Sequence, residues 1–224
     1  LVICRRNSAA INFKKPPHHI ALPVSCIILG FILFAGVSFQ QLGLFYTTVG
    51  KAGFITALYI VNVPIFGLFL YNPLRLSHVS GCIIAVIGLY FLAFHDDGQL
   101  LNFGNMLELI GVIFWTLHIL LISQFTKYYS GIRLAIGQFA VCSIFNGFAS
   151  IITGEILNWS IIMQTLIPIL YGGVLSGGVA YTLQIIGQSH VAPTEASLIL
   201  SFEMIFSALS AYFILGETMT WREI

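Results

Sequence analysis

Glu203 is a lone carboxylate near the middle of an apolar stretch, SLILSFEMIFSALSAYFIL, that is long enough to cross a bilayer. An ionisable group at the bilayer centre costs roughly 2.5 to 3.5 kcal/mol on insertion scales. Such residues usually face the interior of a helix bundle or a watery cavity, where they mark substrate or proton pathways. An apolar setting favours the neutral form of the acid. Proton binding could then be coupled to substrate movement, or the ionised carboxylate could hold a substrate amine. The plainer alternative is a protonated Glu hydrogen-bonded to a neighbouring helix.

Other polar side chains lie within apolar runs. Gln40, Gln41, Gln184 and Gln188 carry amides that need partners in lipid, so they either contact substrate or bridge helices. Tyr59 and Asn62 are within one helical turn, and Tyr181 and Gln184, three apart, share a face. These four read as linings of a cavity. His118 follows Trp115 by three residues, on the same face, and suits either a proton relay or a structural hydrogen bond. Glu108 is about one turn into its run and is expected to reach the membrane interface. Glu217 suits a conformational or packing role.

Some residues shape helices. Pro64 has no N–H, so the Ile60 carbonyl loses its usual partner and the helix can bend. Gly173 and Gly177 form a GxxxG, and Gly172 with Ser176 repeats the spacing, which predicts close helix packing ahead of hinging. Cys26, Cys82 and Cys142 lie in apolar stretches and, with Cys4, form no CxxC, so they read as small packing residues. His18-His19 and His95-Asp96-Asp97 read as solvated loops. No metal or cofactor is expected.

The elements that must hold these residues follow from composition. The chain is 58% hydrophobic and 8% charged, with mean hydropathy +0.97. That is too few charges to cover a water-facing surface, given about 25% in soluble domains. A polytopic membrane protein results, and the dispersed Lys and Arg exclude a nucleic-acid patch. Apolar runs of about 20 residues predict seven spans, over Val24–Tyr46, Ala52–Tyr71, Ser77–Phe94, Phe103–Phe125, Leu134–Thr153, Met163–Gly187 and Thr194–Gly216. The alternation of a β-barrel is absent. Arg5, Arg6, Lys14, Lys15, Arg75, Lys127 and Arg133 fall on one side, against Lys51 and Arg222 on the other. The positive-inside rule makes the first side cytoplasmic. Both ends read as cut, which suggests a piece of a longer protein.

The second and seventh spans align without gaps as TALYIVNVPIFGLF and ASLILSFEMIFSAL, with Leu58, Ile65 and Phe66 matching Leu198, Ile205 and Phe206. Five helices apart, they run in opposite directions. Inverted repeats of this kind are typical of secondary transporters, whose substrates bind near the midplane.

YTTVGKAGFITALYIVNVP and, far downstream, VAPTEASLILSFEMIFSALSAYFILGETMT resemble the two halves of an EamA-type transporter of the drug/metabolite transporter superfamily. The likeness covers nearly the whole chain, and Leu215-Gly216-Glu217 is its most recognisable piece. The family commonly has Pro after the position of Glu203, where this chain has Met204, so no proline bend is carried over. The resemblance implies an all-α, five-plus-five inverted repeat with cytoplasmic termini, the seven spans being its third to ninth helices. Residues 1–97 would hold most of the first repeat and 98–224 the second. It implies export or exchange of small metabolites, amino acids or drugs across a plasma or inner membrane by alternating access, with proton coupling and a homodimer left open. The alternatives are an intramembrane enzyme and a non-transporting membrane protein. HExxH and GxSxG are absent, and the reading is a non-enzyme.

Overall fold

The computed structural model describes residues 20–47, 49–69, 76–93, 102–155, 158–210 and 213. Cys4, Arg5, Arg6, Lys14, Lys15, His18, His19, Arg75, His95, Asp96, Asp97, Glu217 and Arg222 lie outside these residues, so the readings placed on them stand as sequence expectations.

All regular structure among the described residues is helical. The helices are α1 (Leu22–Leu44), α2 (Val49–Ala57), α3 (Tyr59–Phe69), α4 (Leu76–Ala93), α5 (Phe103–Phe125), α6 (Gly131–Thr153), α7 (Trp159–Gln164) and α8 (Leu166–Leu170). A π-helical stretch, Tyr171–Ala180, leads into α9 (Tyr181–Gln188), then α10 (Pro193–Leu200) and α11 (Phe202–Ser210). Five segments are long and apolar enough to cross a membrane: Leu22–Leu44, Lys51–Phe69, Phe103–Phe125, Gly131–Thr153 and Leu166–Gln188. They coincide with five of the seven expected spans. The third expected span is helical as α4, and the described part of the seventh is α10 and α11.

Local chemistry sets the ends. Asn102 caps α5, its Oδ1 accepting from the Asn105 N–H at 2.7 Å. Asn158 does the same for α7, accepting from the N–H groups of Ser160 and Ile161. Pro23 and Pro193 stand in the first turns of α1 and α10, where a missing N–H costs nothing. α6 stops at Gly154, whose φ of 70° lies in the left-handed region that glycine enters without strain.

α1 packs between α5 and α6. The α1–α5 contact is antiparallel and built on glycine. A Cβ on Gly104 would lie 2.8 Å from the Gly43 carbonyl oxygen and from the backbone of Tyr46. Seven residues further along α5, a Cβ on Gly111 would meet the Gly36 oxygen at 3.7 Å. Backbones can approach this closely only without side chains between them. On the other flank Cys26 packs against Gly137, and Val141 fills the space beside Gly30.

Two apolar clusters result. One joins Leu33, Ile55, Tyr59, Val63, Val112, Trp115, Ile119 and Leu120; the other joins Cys26, Leu29, Ile122, Phe125, Leu134, Ala135 and Ile185. The Tyr129 hydroxyl donates to the Ile20 carbonyl at 2.7 Å and ties the α5–α6 turn to the start of α1. The outer faces of α6 and of 159–180 expose Ile136, Ile144, Phe148, Ile167, Val174 and Leu175. In a bilayer such side chains meet acyl chains without a hydrophobic penalty.

Two expectations change here. Among the described residues the glycines of 171–180 have no close packing partner: no atom outside their own helix comes within 4 Å of a Cβ placed on Gly172 or Gly173, and Gly177 meets only the Gly172 oxygen. Those residues instead form the π-helical stretch, since Gly-rich backbone lacks the side-chain packing that holds an α-helix in register. Cys82 is more than packing. Its Sγ donates to the Ile60 carbonyl at 3.2 Å, which is the oxygen that Pro64 leaves without its helical partner. α4 thereby satisfies the carbonyl freed in α3.

Candidate functional site

The second and seventh spans are both interrupted. The second breaks at Leu58, between α2 and α3, six residues before Pro64. The seventh breaks at Ser201, between α10 and α11, with no proline present. There the Ser201 hydroxyl donates to the Leu198 carbonyl at 2.8 Å, a local bond that competes with the helix ladder. α10 packs on α3, and α11 packs on α2. The start of one span therefore lies beside the end of the other, and the two run antiparallel.

Three of the polar residues singled out from sequence stand at irregular points of the chain. Tyr59 is the first residue after the break at Leu58. Glu203 is the second residue after Ser201, and Tyr181 is the first after the π-helical stretch. These points converge. Tyr181 and Leu200, the latter three residues before Glu203, both pack against the cluster that holds Tyr59. Tyr59 is 8% exposed, Tyr181 half-buried and Glu203 exposed. At the Leu58 and Ser201 breaks the backbone stays hydrogen-bonded but tightens locally: Leu58 N–H reaches the Ile55 oxygen and Met204 N–H the Ser201 oxygen, three residues back, the kind of local 3₁₀ geometry that marks hinges within helices.

Aromatic side chains wall this neighbourhood. Tyr181 lies 6.2 Å from both the Trp115 and Phe139 rings, tilted against the first and edge-on to the second. Trp115 meets His118 edge-on at 6.1 Å. His118 is fully buried, and its Nε2 is 3.0 Å from Gln138 Oε1. The His118 Nδ1, Gln138 Nε2 and Trp115 Nε1 atoms are buried without hydrogen-bond partners among the described residues.

The remaining candidates are dispersed. Asn62 is half-buried on α3, one turn from Tyr59. Gln184 is half-buried on α9, while Gln188 is buried with both amide atoms unpartnered. Gln40 is half-buried and its Nε2 donates to Thr56 Oγ1 at 3.5 Å, whereas Gln41 is exposed. Glu108 departs from expectation. Rather than reaching the interface, it is 1% exposed and its Oε2 accepts from Thr56 Oγ1 at 3.2 Å. The close α1–α5 approach at Gly43 and Gly104 encloses it. Paired glycines seven apart, Gly36 with Gly43 and Gly104 with Gly111, were the sequence signal for that enclosure.

An apolar groove of about 450 Å³ runs between α1 and α6, lined by Leu22, Cys26, Ile136 and Val141 with Arg133 at its side. None of the polar candidates lines it. Among the described residues no three His, Cys, Asp or Glu side chains gather in a way that could hold a metal ion.

Comparisons with known proteins agree with the architecture. Residues 102–224 match the model of the EamA-like transporter family. Over 195 residues the chain is 33% identical to an uncharacterized transporter of Archaeoglobus fulgidus, covering 86% of this chain and 61% of that protein. Over 193 residues it is 26% identical to the threonine/homoserine exporter RhtA of Escherichia coli, covering 84% of this chain and 64% of the exporter. The chain thus spans less than two thirds of the length of these curated relatives. One crystal structure superposes with a TM-score of 0.70 at 16% identity, covering 96% of this chain and 74% of the other, a likeness of fold.

Proposed function

The chain belongs to the EamA-like transporter family of the drug/metabolite transporter superfamily, and from that premise we propose that it moves small metabolites across a membrane by alternating access around Glu203, Tyr59 and Tyr181. The convergence of three chain irregularities on one carboxyl and two phenols carries this reading. Discontinuous helices present polar side chains to a substrate within the bilayer. Trp115 and Phe139 supply apolar walls, and Asn62 and Gln184 supply amides one turn from the tyrosines.

Glu203 has two compatible tasks. As a carboxylate it binds an amine on the substrate. As an acid it carries a proton when no amine is bound. Competition between proton and amine for one carboxyl is enough to couple their movements, because each lowers the occupancy of the other. Small amino acids fit this chemistry, and the named substrates of the RhtA exporter, threonine and homoserine, are of that class. His118 and Gln138 are hydrogen-bonded to each other, with the His118 ring edge-on to Trp115.

The packing of α3 on α10 and of α2 on α11 supports two repeats in opposite orientation, divided near residue 97, with rocking at the interrupted helices. The Lys/Arg asymmetry supports a cytoplasmic α5–α6 turn in a plasma or inner membrane. A homodimer is compatible with the broad apolar face of α6. An intramembrane enzyme is the weaker reading: among the described residues His118 is hydrogen-bonded to Gln138 and to no Ser or Cys.

The test is flux of labelled threonine in proteoliposomes, with a pH gradient imposed and then collapsed. Gradient-dependent flux is expected. Flux no greater than in protein-free liposomes, for threonine and for a panel of other amino acids, would remove the proposal.

A further inference from the structure

Glu108 takes no part in the mechanism above, yet its surroundings are specific. It lies five residues into α5, about 8 Å along the helix at 1.5 Å per residue. α1, α2 and α5 meet there. Gln40 on α1 donates to Thr56 on α2, and Thr56 donates to Glu108 Oε2 on α5, a directional chain of hydrogen bonds through all three helices. The other oxygen, Oε1, is pressed against α1: a Cβ on Gly43 would lie 2.6 Å from it. No donor reaches Oε1 among the described residues.

That environment is unbalanced in both states of the acid. Ionised, the carboxylate has Thr56 as its donor among the described residues, for a buried charge. Protonated on Oε1, its O–H has no acceptor. A group held in this way exchanges its proton when the α1–α2–α5 junction opens.

α2 links this junction to Glu203. Gly53, one turn before Thr56, is in contact with Met204: a Cβ there would lie 2.5 Å from the Met204 sulfur and methyl carbon. Met204 is adjacent to Glu203. α2 is nine residues long, and it carries Gly53 and Thr56 one turn apart, between Met204 and Glu108. Displacement of α11 pushes Gly53, and the same short helix carries Thr56 toward or away from Glu108.

We propose that Glu108 is a second proton-exchange site, joined to Glu203 through the half-helix α2. Its access from the outer side rests on the orientation given under Proposed function; its titration does not. The charged and titratable groups on the elements around it are Lys51 on α2, Tyr46 in the turn after α1, Cys26 near the far end of α1, and His118 ten residues along α5. Tyr59 on α3, Tyr181 on α9 and Glu195 on α10 complete the set.

Infrared difference spectroscopy of the protein in lipid bilayers, titrated by pH, reads the C=O stretch of protonated carboxyls directly. A reversible band is expected that vanishes in Glu108→Gln. In Thr56→Val, which removes the donor to the carboxylate, the band should persist to higher pH by about one unit. In Glu203→Gln its midpoint should move, since α2 transmits the state of one site to the other. A wild-type titration that Glu108→Gln leaves intact would overturn the site. So would an unchanged titration in Thr56→Val, which tests the claim even if the Gln variant fails to fold. An unmoved midpoint in Glu203→Gln would overturn the link through α2. None of these readouts needs a transported substrate, so a failed transport assay and a failed titration refute different statements.

Discussion

Gly104→Ala should damage the protein and Gly111→Ala should not, although both place one methyl group on the same face of the same helix. The difference is in what each methyl meets. At Gly104 it would sit 2.8 Å from the Gly43 carbonyl oxygen, the Tyr46 carbonyl carbon and the Tyr46 Cβ. Two of these three are backbone atoms that cannot rotate away. Ordinary contact begins near 3.4 Å, so α1 and α5 must open by roughly 0.6 Å. Overpacking of this size costs about 1 to 3 kcal/mol. At Gly111 the new methyl would meet Phe39 Cβ at 3.5 Å and the Gln40 nitrogen and Gly36 oxygen at 3.7 Å, all ordinary contacts. There alanine fills space and gains up to about 1 kcal/mol of helix propensity. The assay is denaturant unfolding in mixed micelles, followed by the fluorescence of Trp115, which is buried against Gly36. The expected order of stability is Gly111→Ala equal to or above wild type, and both above Gly104→Ala. Equal stability of the two variants, or the reverse order, would refute the claim that backbone contact at Gly43–Gly104 sets the α1–α5 distance.

Two further outcomes follow from the geometry. Cys82→Ala should destabilise by about 1 kcal/mol, because it orphans the Ile60 carbonyl, while Cys82→Ser keeps a donor and should stay close to wild type; equal loss in both, measured in the same unfolding assay, would assign Cys82 to packing alone. Single cysteines at Asn12 and Gly98, in a background whose native cysteines are replaced by serine, should be protected and labelled respectively by an impermeant thiol reagent in intact cells; the opposite pattern would invert the orientation.

Much of the architecture was legible because a bilayer imposes a length on apolar segments. The fourth expected span, Phe103–Phe125, coincides with α5 at both ends. Glu203 stood out for a similar reason, as a charge where lipid tolerates few. Pro64 was also readable: its missing N–H identifies Ile60 as the carbonyl left over. That Cys82 answers it was hidden, since the answer depends on α4 lying beside α3. Glu108 was misread because its sequence position, one turn into a span, says interface, and only the pairing of Gly43 with Gly104 shows that α1 closes over it. The interruptions at Leu58 and Ser201 left no proline or glycine to mark them. They coincide with local bonds added beside the ladder, such as the Ser201 hydroxyl to the Leu198 carbonyl and the Leu58 N–H to the Ile55 carbonyl. The glycines at 171–180 were noticed for their spacing, but the spacing did not show that this segment is π-helical.

The most direct measurement of the central claim is the rate of proton-driven transport against pH for wild type and Glu203→Gln, at matched expression in the same membranes. Glutamine keeps the size of the side chain and its hydrogen-bonding capacity but removes its titration. The account predicts that Glu203→Gln loses proton-driven transport and the pH dependence of the rate, and that Glu203→Ala loses at least as much, because it removes the hydrogen-bonding capacity as well as the titration. An unchanged rate and an unchanged pH profile in Glu203→Gln would contradict the account and reduce Glu203 to a packing residue.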